Sequence, residues 1–518
     1  MSEHARFVAP ARLIALLTAC SRVLGVLREV AFSYFLGTAP VFSSFCVAFL
    51  VPNLARRLFG EGAMASAFIP IFTEVLRSRG RARAAELAGA AFTLLGGGLI
   101  VLTILIEGGM LAAHLARPSF TLTLAMIMLP YMILICLTGF AGGMLNALDR
   151  FAAPAAAPIL LNIVLIGVLL IGGRFAGLRG EKLLYAVAAG VVLAGVAQFG
   201  AQVLDARRAG FRPRLNCNWR DPDLRRILVM MGPMLIGVSA LQFNVLADKL
   251  IALAFVPEGR GPAVLNYAHM LYHLPQGVFG IALATAIFPL FSTRAAEGDR
   301  AGLARALESG VRVCVFIALP AAAGLILLAT PVVALLYQHR GGAFDEVATG
   351  HVSRTLVFYC LGLVAFSAQP ILTRAAYAMQ DVRGPVRIGL VTVGLNLVLS
   401  FVLVFPLAEG GIALATALAA WLQVVWLAGH LTRSLPGLSW RRVGVGVGRM
   451  GLAVAAMCVF VGWVARWSPL SNARPVAQLA AGIPGGILVF AGMARLIGCG
   501  ELRELLSRDR RASGSAPA

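Results

Sequence analysis

The chain has 518 residues, 59% of them hydrophobic and 13% charged, with a mean hydropathy of +0.86. That balance excludes a soluble globular domain and defines an all-α polytopic membrane protein. The formal net charge of +21 is nearly all arginine, since Lys182 and Lys249 are the only lysines. In a membrane protein such an excess points to cytoplasmic loops and anionic lipid head groups, not to nucleic acid.

Taken in order, apolar stretches recur at 11–36, 40–58, 85–113, 120–147, 152–173, 182–204, 224–256, 263–291, 303–328, 351–378, 385–406, 410–430, 444–465 and 475–498. Each is long enough to cross a bilayer, which predicts about fourteen spans. The stretch 62–78 reads as a shorter helix along or out of the membrane. Near the start, Leu17-Thr18-Ala19-Cys20 looks like a lipoprotein signal. Only about five residues separate Arg12 from it, however, below the usual ~7–15 of such a signal. The eight cysteines are scattered without a CxxC pair, so neither a zinc site nor a disulfide framework is indicated.

Alternate loops are rich in arginine: 77–83, 205–226, 294–305, 383–387, 433–449 and 503–511. Those loops belong on the cytoplasmic side, which places both termini inside. The final stretch RDRRASGSAPA is polar and reads as a disordered tail.

The two halves echo each other. VPNLARRLFGEGAMASAFIPIFTEVLRSRG at 51–80 parallels HLPQGVFGIALATAIFPLFSTRAAEGD at 273–299, and LNALDRFAAP at 145–154 parallels AYAMQDVRGP at 376–385. Both members of the second pair lead into spans bearing an asparagine, Asn162 and Asn396. This predicts an N-lobe of six helices over 1–210, a C-lobe of six over 211–432, two further helices over 433–500 and a tail over 501–518.

Charged groups inside apolar spans face a wet cavity or a partner, because an ionised side chain at bilayer depth costs at least ~2.5–3.5 kcal/mol. Arg22, Arg28 and Glu29 lie in the first span, and Arg56 and Arg57 end the second. Arg22 and Glu29 are seven apart on one helical face, and Gly25 between them permits a bend. One reading is a guanidinium cluster gripping a phosphate. The plainer one is an internal Arg22–Glu29 ion pair. Adjacent residues diverge by about 100°, so one of Arg56 and Arg57 suffices to face a cavity, and Arg56 is the choice here.

In the second half, Asp248 and Lys249 form either a self-neutralising pair or a cation or proton site. Asn396, Ser400 and Thr416 offer oxygens suited to a hard monovalent cation, or else interhelical hydrogen bonds. His269 and His273, four apart on one face, line a polar cavity more readily than they bind metal, since no HExxH accompanies them. No GxSxG, P-loop or clustered acidic pair points to an enzyme.

SRVLGVLRE at 21–29, FCVAFLVPNLARRLFGEGAMASAFIP at 45–70 and LPQGVFGIALATAIFP at 274–289 together resemble the MviN/MurJ family of lipid II flippases, within the multidrug/oligosaccharidyl-lipid/polysaccharide exporter superfamily. The resemblance implies fourteen helices in two lobes. It implies transport of lipid II, the undecaprenyl-diphosphate-linked peptidoglycan precursor, to the outer leaflet of the bacterial inner membrane for cell wall synthesis. The family's cavity arginines fall on Arg22, Arg28 and Arg56. A further family arginine, in span eight, is Met270 here, and an acidic residue early in span two is Ser43. His269 or His273 stands beside the missing arginine. The family's cation site is matched at Asp248, Asn396 and Thr416, with Ser400 where an acidic ligand is expected. These readings together describe a monomer that contacts lipid II and membrane lipids and needs no cofactor beyond Na+ or H+ as coupling ion. The rival readings are an exporter of another polyprenyl-diphosphate-linked glycan, or a divergent paralogue with weakened lipid II transport.

Overall fold

Inside a bilayer a chain must satisfy every backbone N–H and C=O internally, and this one does so with helices. A computed structural model describes residues 3–60, 63–211, 215–466 and 474–502, and no strand occurs among them. The tail expected beyond 502 lies outside the described residues. The first half runs α1 (Glu3–Leu36), α2 (Pro40–Ala48), α3 (Leu50–Ala55), a π-helical turn at Arg56–Gly60, α4 (Ala63–Ala116), α5 (Phe120–Met128), α6 (Pro130–Ala147), α7 (Ala152–Val168) with a π-helical end at Leu169–Phe175, and α8 (Gly180–Arg208). The second runs α9 (Pro222–Phe255), α10 (Gly261–Pro275), a π-helical turn at Gln276–Ile281, α11 (Ala282–Ala296), α12 (Arg300–Leu327), α13 (Ala329–Tyr337), α14 (Glu346–Leu361), α15 (Leu363–Ala378), α16 (Arg383–Leu407) and α17 (Glu409–Ser434). Two more helices follow, α18 (Trp440–Arg466) and α19 (Arg474–Ile497).

Eleven helical stretches among the described residues are long and apolar enough to cross a membrane. The expected spans at 11–36, 224–256 and 263–291 are helical too, as α1, α9 and the α10–α11 pair, but lie outside that eleven. The helix expected at 62–78 is the first part of α4. It ends at Gly80, whose φ of 85° and ψ of 175° leave the helical region, so α4 is two helices joined at a glycine. One element escaped the sequence: α13 starts directly after Leu328, with Pro331 in its first turn, and buries Tyr337 against Tyr267 at 4.8 Å between ring centroids.

The chain divides into two compact units. The first holds Met1–Leu253, Glu258–Ala263 and Gly341–Phe344; the second holds Ala254–Pro257, Val264–Arg340 and Asp345–Ala518. The sequence repeat alone would set a boundary near residue 210, whereas contacts place most of α9 in the first unit. Ion pairs explain that attachment. Asp221 caps α9 by accepting from the backbone N–H of Asp223 at 3.0 Å, and Arg83 of α4 reaches Asp221 at 2.8 Å and Asp223 at 3.0 Å. Arg226 adds a pair with Glu74 at 3.0 Å. Burial pushes the Asp221 carboxyl up, but Arg83 and the capping backbone N–H groups outweigh it and hold the group below the usual carboxylate range. The 341–344 segment joins the first unit because Ala343 donates to the Tyr34 carbonyl at 2.8 Å beside Gly37. A Cβ at Gly37 would meet the Ala343 carbonyl oxygen, so only glycine fits this positive-φ crossing.

In the second unit, α12, α15, α18 and α19 enclose a core that includes Leu307, Ile371, Met450 and Ala494. Glu308 is buried on α12, where it accepts from the Ser439 backbone N–H at 2.8 Å and pairs with Arg442 at 3.1 Å. Glu409, also buried, starts α17 and meets His351 at 2.7 Å.

The sequence echoes are echoes of structure. Both Phe-Gly motifs lie in π-helical turns, Arg56–Gly60 and Gln276–Ile281. Gly60 packs on α6, where a Cβ at Gly139 would sit 2.7 Å from the Gly60 carbonyl oxygen; Gly280 packs on Ser367 of α15. After α6 and after α15 the chain makes the same turn, with Asp149 and Gln380 at φ 60° and 62°. Arg150 then donates its backbone N–H to Leu145, as Asp381 does to Ala376, at 2.9 and 3.1 Å. Each turn is latched by side chains to the end of its own unit's later helix, Arg150 to Asp205 on α8 and Asp381 to His430 on α17 at 2.5 Å. The polarity is reversed between the two latches.

Breaking the buried half of the α4–α9 contact with Asp221→Ala leaves Arg83 without its best partner. A loss of about 2–3 kcal/mol is expected, read as a lower midpoint of thermal unfolding in detergent. The Gly384 backbone N–H and the His430 ring hold the Asp381 carboxyl below the usual carboxylate range. Its stabilisation is therefore present above about pH 4 and lost as pH falls through the folded value. The midpoint difference between the wild type and Asp381→Asn should shrink below about pH 4; a difference that grows there would contradict the latch.

Candidate functional site

The first unit gathers polar side chains along α1. Arg28 Nη2 donates to Glu29 at 2.6 Å and Nη1 donates to Asn162 Oδ1 of α7 at 3.1 Å. The Asn162 amide in turn donates to the Ser21 backbone carbonyl at 3.1 Å. One buried asparagine thus holds both the guanidinium and a carbonyl about two turns earlier on α1. Glu29 is 4% exposed, which an unpaired carboxylate would not tolerate. The Arg28 side chain keeps 20% exposure and spends two of its five N–H donors on these partners among the described residues. A guanidinium so held is fixed in direction yet not saturated.

The Arg22–Glu29 pair expected as the plainer reading is not what organises this face. Glu29 neighbours Arg28 in sequence and pairs with it, while Arg22 is exposed and makes no ion pair among the described residues. A preceding turn points Arg22 a different way from Arg28, and Asn162 reaches only the latter. Arg56 is half-buried in its π-helical turn and donates Nε to Asn53 Oδ1 at 3.4 Å. Arg57 is exposed and donates to Gln242 of α9 at 3.2 Å.

Ser43 is fully buried, and its hydroxyl accepts from the Ala263 backbone N–H at 3.2 Å. That is a structural job at the start of α10. Lys249 donates to the Pro262 carbonyl at 2.9 Å and lies within electrostatic reach of Cys46, Glu29 and Asp248. Asp248 accepts from Asn244 at 3.5 Å. Glu29 therefore lies near basic side chains from two helices, Arg28 of α1 and Lys249 of α9.

In the second unit, His269 and His273 bring their rings to 4.4 Å, edge to face. Tyr272 stacks on Tyr359 at 4.7 Å and lies 5.4 Å from Phe366, so the two histidines flank an aromatic shelf. Met270 is half-buried beside them. Asn396 and Ser400 are buried one turn apart on α16, and Thr416 donates to the Ile412 carbonyl of its own helix at 2.9 Å. No cluster of three or more His, Cys, Asp or Glu side chains occurs among the described residues.

Several polar groups here were missed in the sequence. Asn53 was marked by its spacing of three from Arg56, which makes helical neighbours. Gln242 carried no local signal. Arg354, exposed on α14, and Arg374, 6.0 Å from the Phe288 ring centroid, are charges inside apolar helices and could have been flagged as Arg22 was.

These features define a helical membrane transporter of the two-unit kind, with held but unsaturated arginine in its first unit. The match to known proteins narrows the class. Residues 32–471 fit the family model described as "Lipid II flippase MurJ", and this chain belongs to that family. A "Probable lipid II flippase MurJ" of Rhizobium meliloti is 35% identical over 92% of this chain and 90% of its own length. A "Lipid II flippase MurJ" of Burkholderia cenocepacia is 30% identical over 89% of this chain and 91% of its own. Among solved structures, a lipid II flippase in an inward closed conformation aligns with a TM-score of 0.75 at 21% identity, over 93% of this chain and 99% of its own. An inward-facing multidrug transporter of the MATE family aligns at 0.63 and 14% identity, over 82% and 98%. Those two likenesses concern the fold.

Asn162→Ala removes both bonds that tie α7 to α1. It should lower stability by about 1–2 kcal/mol, with Asn162→Asp intermediate because an acceptor for Arg28 survives. Thermal unfolding of the purified variants checks the order.

Proposed function

We propose that this chain moves lipid II from the cytoplasmic to the outer leaflet of the bacterial inner membrane, as a monomer with both termini in the cytoplasm. The observation that carries the reading is Arg28, aimed by Glu29 and Asn162 with N–H donors still to spend, in a chain of the lipid II flippase family. The diphosphate carries about two negative charges, and a planar guanidinium binds such oxygens bidentately. Arginine suits the task better than lysine because it is more weakly hydrated and stays charged. Arg22 and Arg56 supply further positive charge to the diphosphate, and Glu29 keeps the unloaded site from carrying uncompensated charge.

The head group travels through polar surroundings while the polyprenyl tail stays in lipid. Alternating exposure of the head group to the two sides completes transport, and no covalent step is needed. Membrane potential supplies about 2.3 kcal/mol per charge per 100 mV. A Na+ or H+ gradient is the other source of drive, with Asp248 in the first unit and Asn396, Ser400 and Thr416 in the second as separate candidate coupling groups. His269 and His273 offer titratable positive charge near Met270, where the family pattern has arginine. That departure favours one second reading, an exporter of a different polyprenyl-diphosphate-linked glycan, because the shared diphosphate would still meet Arg28.

The test is rescue of cells depleted of their own flippase. Wild-type protein restores growth and clears accumulated lipid II. Arg28→Ala should fail to do so, and Arg28→Lys should rescue weakly, because one ammonium cannot serve Asn162, Glu29 and a phosphate in the same plane. Full rescue by Arg28→Ala removes this site from the mechanism, and accumulation of a different lipid-linked glycan in cells lacking this protein favours the second reading.

A further inference from the structure

A cavity of about 450 Å³ lies within the first unit, away from Arg28, among α4, α6, α8 and the segment that follows α8. Its walls are aromatic: Phe92 stacks on Phe199 at 5.9 Å and meets Phe140 at 6.1 Å. Phe211 closes one side. Gly210, at φ +70°, ends α8, the Phe211 backbone N–H returns to the Ala206 carbonyl at 3.0 Å, and the Phe211 ring stands edge-on to Phe72. The walls are therefore set by packing and by the helix end.

At the wall of this largely apolar space stands a buried amide. Gln202 is 1% exposed, lines the cavity, and finds no hydrogen-bond partner for either Oε1 or Nε2 among the described residues. Buried amides in folded proteins are otherwise almost always paired. Arg207, one and a half turns further along α8, also lines the cavity, is exposed, and makes no ion pair among the described residues. A donor–acceptor pair at depth, a cation at the rim and aromatic walls between them, in a cavity of ligand size, form a recognisable specification.

We propose that this cavity binds a single-chain anionic amphiphile. Its aliphatic chain lies against Phe92, Phe140 and Phe199, its anionic head meets Arg207, and an oxygen of that head or of an ester or hydroxyl beside it bonds Gln202. A lysophospholipid phosphate and a fatty-acid carboxylate share this chemistry. A zwitterionic head does not, because its own cation opposes Arg207. Water alone would satisfy Gln202 but would leave the aromatic walls without an occupant.

The experiment uses the full-length protein, delipidated in detergent, with lysophosphatidylglycerol, palmitate and lysophosphatidylcholine as separate probes followed by native mass spectrometry. A photoreactive analogue of the tighter binder is mapped by peptide sequencing. Lysophosphatidylglycerol or palmitate should bind at least tenfold more tightly than lysophosphatidylcholine, and whichever is tighter identifies the head group. Gln202→Leu and Arg207→Gln should each weaken that binding at least tenfold, and cross-links should fall on α4, α6 and α8. Gln202→Leu should also raise the melting midpoint of the delipidated protein, since leucine fills the same space with no amide to satisfy. Ala206→Phe, which occupies the cavity, should abolish binding, while Arg28→Ala should leave it unchanged, which separates this site from the transport site. Equal affinity for all three probes, undiminished binding by Gln202→Leu, or cross-links confined to other helices would overturn the proposal.

Discussion

A guanidinium placed among apolar helices has to be compensated, and how it is compensated decides what it can do. Arg28 is compensated by one carboxylate beside it and one amide across from it. That arrangement holds α1 against α7 and at the same time leaves donors on the guanidinium. Complete saturation would make Arg28 a structural pin. Without Glu29 and Asn162, the group would swing towards whatever water it could find. The middle course holds the charge at tolerable cost and leaves part of its N–H capacity unspent.

The same economy shapes the backbone. Two π-helical turns sit at matching Phe-Gly motifs in the two halves, and each lets a glycine approach a neighbouring helix closely. A π-helical turn inserts a residue into the helix, so side chains before and after it face different directions. Arg56 and Arg57 lie in the first of these turns, and their polar partners, Asn53 and Gln242, come from different helices. In the second, the turn follows His269 and His273, so the aromatic shelf precedes the change of direction.

Much of this was legible from residue type and spacing. Long apolar runs marked the helices, the Phe-Gly and Pro echoes marked the internal repeat, and charge inside apolar stretches marked Arg22, Arg28, Glu29 and Arg56. Partners were not legible. Asn162 had been noticed as an echo of Asn396, yet nothing local says that it reaches across to Arg28, because a hydrogen bond spanning 134 positions depends on helix packing. Ser43, standing where the family pattern has an acidic residue, supports a backbone N–H, a role that many short hydroxyl side chains fill. Glycine has no side chain to betray its purpose, so the break at Gly80 could not be told from the many glycines inside unbroken helices. Gln202 was passed over for the opposite reason: one glutamine near the end of a helix is ordinary until its burial without a partner is seen.

The reversed polarity of the two turn latches has a consequence for assembly. Two halves that descend from one pattern carry interchangeable shapes, so during synthesis the turn after α6 could in principle dock on the end of α17, and the turn after α15 on the end of α8. Had both latches kept the same order of charge, such crossed docking would be as favourable as the correct one. With Arg150 and Asp205 in one half and Asp381 and His430 in the other, a crossed arrangement sets arginine against histidine and aspartate against aspartate. In a crossed arrangement neither turn would find an acid–base partner, so the reversed order favours each turn docking on its own half.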